Sequence, residues 1–343
     1  LIPESQRAGK TAARPPSAAM TREQIFALIG DKLALVNERF DEEFGSNVEI
    51  VSTMGRHVAG SGGKRLRPAL LLLASGVAGY EGVQDVLFAA ALELIHTATL
   101  VHDDIIDEAT IRRGRESLNH RWGNHLTVLM GDHLYITAMQ LAIEGQNFRI
   151  LSLLAETTLG MIEGEMIQKD QNGRLDIDEN EHLEVVRRKT AMLFSTCCRV
   201  PAMLAPCTPE QQRALENYGL DLGMAYQLVD DLLDFTADEE TLGKPTLNDL
   251  REGKLTLPLI YLLRRGDPRH VELVRTVMAD RGFTRVPREE ILEPLRALGC
   301  LEEGREKAIR YAERARVHLD LFPASRYRDA LHSVLDFVIE RDR

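Results

Sequence analysis

Leu100-Val101-His102-Asp103-Asp104-Ile105-Ile106-Asp107 and Leu228-Val229-Asp230-Asp231-Leu232-Leu233-Asp234 carry one DDxxD pattern, each set hard against apolar residues. Such surroundings read as buried helix rather than solvated acidic loop. Residues four apart share a helical face, so Asp103 pairs with Asp107 and Asp230 with Asp234. Two like charges about 5–6 Å apart repel by roughly 3 kcal/mol at an effective dielectric near 20, which a half-buried site sustains with a bound cation. Oxygen donors without histidine or cysteine favour Mg²⁺, which keeps several waters and takes further ligands from substrate phosphates. The pattern therefore points to a diphosphate. A single pentad would better suit an acidic helix end or a solvated charge cluster; two copies in apolar helices favour a site.

Outward from the pentads, Leu, Ala, Glu and Arg recur at helical spacing, aromatics are only 5% of the chain, and no run of alternating β-branched residues stands out. The expectation is an all-α protein. No Pro/Gly/Ser-rich linker divides the 343 residues, so residues 20–343 are expected to form one domain. Residues 1–19, with Pro15-Pro16 and little apolar periodicity, read as a disordered extension, and Met20 is a candidate natural start. Breaks are expected at Ser61-Gly62-Gly63, Gln171 to Glu181, Gly243 to Gly253 and Gly282 to Pro287, between helices rather than domains.

The formal net charge of −11 argues against nucleic acid as the main partner. Apolar runs such as Val86 to Ile95 fall short of the roughly 20 residues that span a bilayer, so no transmembrane segment is expected. No secretory signal is visible. Cys197, Cys198, Cys207 and Cys300 lack paired CxxC spacing, and a reducing cytoplasm is the simplest setting.

Basic residues complement the acidic ones. Gly62-Gly63-Lys64-Arg65-Leu66-Arg67-Pro68 sets cations in a glycine-led loop, with Pro68 suited to the first position of the apolar helix that follows. Arginine forks and a lysine point charge suit phosphate oxygens; a solvated basic turn is the bland alternative. Arg112-Arg113-Gly114 follows the first pentad within reach of metal-bound phosphate. Lys189-Thr190, Gly243-Lys244-Pro245 and Gly253-Lys254 add cations that singly read as surface. Their joint occurrence matters, because two diphosphates carry more negative charge than a few Mg²⁺ ions neutralise. His96, seven residues before Asp103, shares its face or else sits satisfied in the core. Gln227 offers an amide beside the second pentad, and Gln168 is a weaker candidate of the same kind.

In this order the motifs, from residue 62 to 258, closely resemble the trans-polyprenyl diphosphate synthases, including Leu92 to Asp107, Gly131-Asp132 and Gln227 to Asp234. The resemblance implies an all-helical isoprenoid-synthase bundle around a central cavity, homodimeric in most members. It implies that Asp103, Asp107 and Asp230 hold Mg²⁺, three ions with substrate bound, with Asp104, Asp231 and Asp234 supporting. It places Lys64, Arg67, His96 and Arg113 on isopentenyl diphosphate, and Arg112, Lys189, Thr190, Gln227 and Lys244 on the allylic diphosphate, with Lys254 a weaker addition. Leu247-Asn248-Asp249 departs from the more acidic stretch of many relatives.

The chemistry that follows is ionisation of the allylic C–O bond, attack by the alkene of isopentenyl diphosphate, and proton loss to the released diphosphate. In the resembling family, small residues just upstream of the first motif go with long products. Ala98 and Thr99 are small, and Ala138 and Ala142 leave room on what reads as the next helix, where Tyr135, Met139 or Leu141 would form a floor. The expected product is hexaprenyl to decaprenyl. Shorter-chain geranylgeranyl or farnesyl synthesis, a class I terpene cyclase, and a regulatory subunit of a heteromeric synthase are the alternatives. A cyclase has no need of the Lys64/Arg67 site, and a regulatory subunit has no need of two intact pentads.

Overall fold

A computed structural model describes residues 19–60, 62–63, 65–236 and 246–341. Lys64, Lys244, Ser61, Gly243 and the stretch before residue 19 lie outside them, so the expectation of a disordered extension finds no test here. Fifteen α-helices and one two-residue hairpin account for the described elements: α1 (Arg22–Glu42), α2 (Glu49–Gly60), α3 (Leu66–Ala78), α4 (Gln84–Ile106), β1 (Ile111–Arg112), β2 (Arg115–Glu116), α5 (Leu118–Glu144), α6 (Phe148–Gln171), α7 (Glu179–Val186), α8 (Met192–Leu204), α9 (Pro209–Thr236), α10 (Asn248–Arg251), α11 (Leu257–Arg264), α12 (Pro268–Asp280), α13 (Arg288–Ala297), α14 (Cys300–His318) and α15 (Arg326–Glu340). A π-helical turn, Arg187–Ala191, joins α7 to α8.

The centre of the bundle is set by composition. Phe88, Ala89, Ala90, Ala91 and Leu92 are all at 0% exposure. Five consecutive residues sweep every side of a helix, and a helix apolar all round belongs in a core. Accordingly α1, α3, α5 and α8 all pack against α4. Leu70 to Leu73 of α3 are likewise fully buried; truncating one of them to Ala would cost about 2–5 kcal/mol. α9 lies against α8, α14 and α15.

Glycines fix the closest approach. A Cβ at Gly219 would stand 2.5 Å from the Phe194 carbonyl oxygen, and one at Gly223 would stand 2.6 Å from the Ala191 Cα. From the other side, a Cβ at Gly164 of α6 would meet Arg188 Cβ at 2.7 Å and the Lys189 backbone nitrogen at 3.0 Å. The π turn is thus clamped between α6 and α9.

Several expectations change. Pro68 takes the third position of α3 rather than the first, after Arg65 at φ 47°; its missing N–H is still one of the four orphan donors of a helix start. Gly131-Asp132 lies in mid-α5, the helix that also carries Ala138 and Ala142; Gly131 makes room for the His102 ring, since a Cβ would fall 2.3 Å from Nε2. Asp107 caps α4 at φ −94°, ψ 4° instead of continuing it. The hairpin was masked by its shortness: Arg113 and Gly114, at φ 51° and 75°, form the two-residue turn that antiparallel strands favour. By length and composition alone α4 and α5 are each long and apolar enough to cross a membrane, with 67% and 44% of their apolar windows buried within the protein. Helices extend beyond the short uninterrupted apolar runs on which the expectation of no transmembrane segment rested. In α4 the composition is accounted for by its place in the core.

Candidate active site

A cavity of about 890 Å³ opens between α4, α6 and α9, lined also by the start of α3 and by the hairpin. Asp103 from the end of α4 and Asp230 from α9 both line it, so the two pentads do face one space. Arg67, His96, Arg112, Arg113, Lys189, Thr190 and Gln227 line the same cavity, together with Thr99. The structure therefore brings together residues that are more than a hundred positions apart in sequence.

Within the first pentad the three carboxylates have distinct surroundings. Asp103 has no ion-pair partner among the described residues, and burial, reinforced by the carboxylates of Glu165 and Asp107, raises its pKa to about 6 against the pull of Lys189. Asp104 is buried and accepts from Arg112, with Nε and Nη2 each 2.6 Å from Oδ1. Asp107 accepts from Lys169 Nζ at 2.7 Å. Burial pushes its carboxyl up, but Lys254 and then Lys169 outweigh burial and hold it below the usual range.

The second pentad is arranged otherwise. Asp230 is 47% exposed at its side chain and lies 3.6 Å from Arg341 Nη2, which also sits over the Tyr226 ring. Asp231 is buried, accepting from Gln227 Nε2 at 2.9 Å, with His182 Nε2 3.2 Å from its other oxygen. Gln227 Oε1 in turn accepts from Thr190 Oγ1 at 2.9 Å. Asp234 is buried with both oxygens on the start of α10, accepting from the backbone N–H of Asn248 and of Asp249 at 3.1 Å each. Asp231 Oδ1 and both oxygens of Asp234 thus accept hydrogen bonds from within the fold, and neither residue lines the cavity, because only some of five consecutive helical positions can look into one space. The unusual Leu247-Asn248-Asp249 stretch is the one that Asp234 caps.

The basic loop divides similarly. Arg67 faces the cavity with its guanidinium 5.2 Å from the Phe194 ring centroid. Arg65 ties α3 to its neighbours through Asn37 Oδ1 at 3.0 Å and Glu93 Oε1 at 3.1 Å. Arg113 donates to the Gly62 carbonyl, so the hairpin rests on the glycine loop and the two basic motifs meet. Burial, then Arg67, Arg113 and Arg112, lowers the pKa of His96 well below normal; the imidazole is neutral. Lys189 donates to Gln168 Oε1 at 2.8 Å and pairs with Glu165, which gives Gln168 a place at the site. Lys254 joins the group through Asp107, Asp249 and Glu252, which together raise its pKa against the effect of burial.

Of the residues tied to product length, Thr99 is on the cavity wall, whereas Ala98, Met139 and Ala142 are not among the lining residues. At about 100° per residue Thr99 is roughly 40° from Asp103 and Ala98 roughly 140°, so Ala98 turns into the core, 3% exposed. The apolar wall comes instead from Leu100, Ile106, Met161, Ile162 and Met166. Sequence reading missed Glu165, Lys169, His182 and Arg341. For the first two the signal was the helical spacing of Glu165 and Lys169 around Gln168; for the others local sequence held none.

Residues 48–292, more than half of the chain, match the model of the family described as Polyprenyl synthetase. The chain belongs to that family. It is 39% identical over 324 residues to the octaprenyl diphosphate synthase of Escherichia coli (strain K12), covering 94% of this chain and 100% of that one. Its fold is similar to a polyprenyl synthase from Caulobacter crescentus CB15 solved with calcium and isoprenyl diphosphate, with a TM-score of 0.89, 35% identity and coverage of 96% and 100%. A decaprenyl diphosphate synthase from Rhodobacter capsulatus gives a TM-score of 0.88 at 36% identity, covering 94% of this chain and 99% of that one. The trans-polyprenyl diphosphate synthase family and the all-α isoprenoid-synthase fold expected from the motifs are both met.

Proposed function

We propose that this polyprenyl synthetase is a long-chain prenyltransferase that condenses isopentenyl diphosphate head-to-tail with an allylic diphosphate, giving an (E)-polyprenyl diphosphate of hexaprenyl to decaprenyl length. The observation that carries the reading is Asp103 and Asp230 lining one cavity together with Arg67, His96 and Arg113. Two anionic groups are accommodated there, one at the carboxylates and one at the cations. The octaprenyl and decaprenyl activities named for the relatives support the long product, as does Thr99 on the wall where a bulkier side chain would obstruct a growing tail.

Mg²⁺ suits the donors. Such an ion keeps several waters and completes its shell from substrate phosphates. Asp103, destabilised in its charged form by burial and by Glu165 and Asp107, gains from a cation. Asp103, Asp107 and Asp230 would hold the ions, three with substrate bound, and the metal would supply stabilisation of negative charge on the leaving diphosphate.

The chain's own groups do the rest. Lys189 and Arg112 reach the cavity beside the carboxylates and stabilise charge on the departing allylic diphosphate, with Thr190 and Gln227 orienting it and Lys254 and Lys244 adding positive potential. Arg67, Arg113 and Lys64 hold isopentenyl diphosphate, and neutral His96 donates one hydrogen bond without adding a charge. The allylic C–O bond breaks with its electron pair leaving on diphosphate. The alkene then forms the new C–C bond, and the resulting cation loses a proton to the released diphosphate. Holding both substrates in place converts a bimolecular encounter into an oriented one.

Residues 20–343 act as one domain. Leu129, Ile136 and Ile143 of α5 and Phe148 and Leu159 of α6 are exposed, an apolar face that supports a homodimer. A cytoplasmic enzyme touching membrane only for product release fits an apolar product and a diphosphate substrate. The test is to incubate the pure protein with Mg²⁺, isopentenyl diphosphate and each allylic primer and read chain length by mass spectrometry. A ladder of products five carbons apart, ending between six and ten isoprene units, is expected; absence of elongation with every primer would sink the reading.

A further inference from the structure

One cation at the carboxylate end belongs to neither the acidic motifs nor the basic loops. Lys169 of α6 places Nζ 2.7 Å from Asp107 Oδ1 and 3.9 Å from Glu165 Oε1, with its side chain 33% exposed. It follows Gln168, the acceptor for Lys189, so two lysines from separate elements converge on the carboxylates of Asp107 and Glu165. Lys169 is the only ion-pair partner of Asp107 within 4 Å among the described residues. A lysine is a compact point charge on a flexible four-carbon stem. It can leave one anion for another without moving the helix.

We propose that Lys169 is a positioning residue for the first acidic motif: its ammonium holds Asp107 in the metal-free protein and must be displaced before a divalent cation binds there. Once displaced, its ammonium turns to the oxygens of an incoming diphosphate. The device opposes binding of bare metal and favours binding of metal together with diphosphate, so the ions arrive with substrate. A purely structural ion pair would affect neither equilibrium in opposite directions. This inference rests on reading the first motif as a metal site.

The test measures Mn²⁺ binding to the full chain without substrate, by the electron paramagnetic resonance signal of free Mn²⁺, and inorganic diphosphate binding at saturating Mn²⁺ by calorimetry. Lys169→Met is expected to bind Mn²⁺ about three- to tenfold more tightly and diphosphate several-fold more weakly. Lys169→Arg keeps the charge and is expected to stay near the parent protein in both. In an Asp107→Asn background, Lys169→Met should no longer tighten Mn²⁺ binding. Unchanged or weaker Mn²⁺ affinity in Lys169→Met overturns the proposal. Should that variant fail to fold, as judged by thermal unfolding, Lys169→Gln carries the same expectation. Equal Mn²⁺ binding by the parent protein and Asp107→Asn would instead defeat the metal reading of the motif, which keeps the two failures apart.

Discussion

The two DDxxD pentads have the same acidic positions and nearly the same apolar spacers, yet the fold uses them differently. In the first, Asp103 lines the cavity with no ion-pair partner among the described residues, while Asp104 and Asp107 are matched to Arg112 and Lys169. In the second, only Asp230 looks into the cavity, whereas Asp231 anchors the Gln227–Thr190 network and Asp234 closes the start of α10. The first motif ends its helix and can spread its carboxylates among cations from α6 and the hairpin. The second is held by buried hydrogen bonds on a helix that continues through it. A shared motif therefore does not imply shared roles at each position.

The largest effect is expected at Asp103. Asp103→Asn should lower kcat about a thousandfold or more, roughly 4 kcal/mol of lost transition-state stabilisation, with thermal stability unchanged or raised because an opposed charge is removed. Steady-state kinetics with isopentenyl diphosphate and an allylic primer, alongside a melting curve, checks both halves.

A smaller loss tests how the second motif's network is held. Gly223→Ala should force the Ala191 backbone away and carry Lys189 and Thr190 with it, lowering turnover about 10- to 100-fold and stability by about 1–3 kcal/mol. Gly30→Ala, where nothing lies within 4 Å, is the control and should be neutral or slightly stabilising. Equal effects from both would remove the glycine clamp from the account.

The mildest effect on rate should be one of product length. Thr99→Phe is expected to shift the mass-spectrometric product distribution by one or more isoprene units toward shorter chains. Ala98→Phe should do so less and should cost about 1–3 kcal/mol of stability through overpacking. An unchanged distribution in both variants would remove this helix from chain-length control.

Much of this was legible in the sequence, and the parts that were not have physical reasons. Helical periodicity reports local structure, so the all-α class and the breaks at Gln171 to Glu181 and Gly282 to Pro287 could be read directly, whereas the expectation that both acidic motifs face one cavity came from the family resemblance. Which of the three aspartates in a five-residue motif faces a ligand depends on helix rotation and on partners far away in sequence. Asp234 is satisfied by N–H groups fourteen and fifteen residues on, and Arg341 meets Asp230 from the far end of the chain. His182 stands in no motif at all; only the packing of α7 beside the second pentad gives it a role. The hairpin escaped because two-residue strands carry no alternation to detect.

The division of labour within the second pentad is tested most directly by comparing Asp230→Asn with Asp234→Asn for both turnover and melting temperature in one preparation. Asp230→Asn should lose turnover about 100-fold or more while melting within about 1 °C of the parent protein, since its carboxylate serves the cavity. Asp234→Asn, which loses a charged acceptor of two backbone N–H groups, should melt about 2–6 °C lower. If Asp230→Asn melts as low as Asp234→Asn, or Asp234→Asn melts like the parent while losing turnover as Asp230→Asn does, the two aspartates share one role and the account is contradicted.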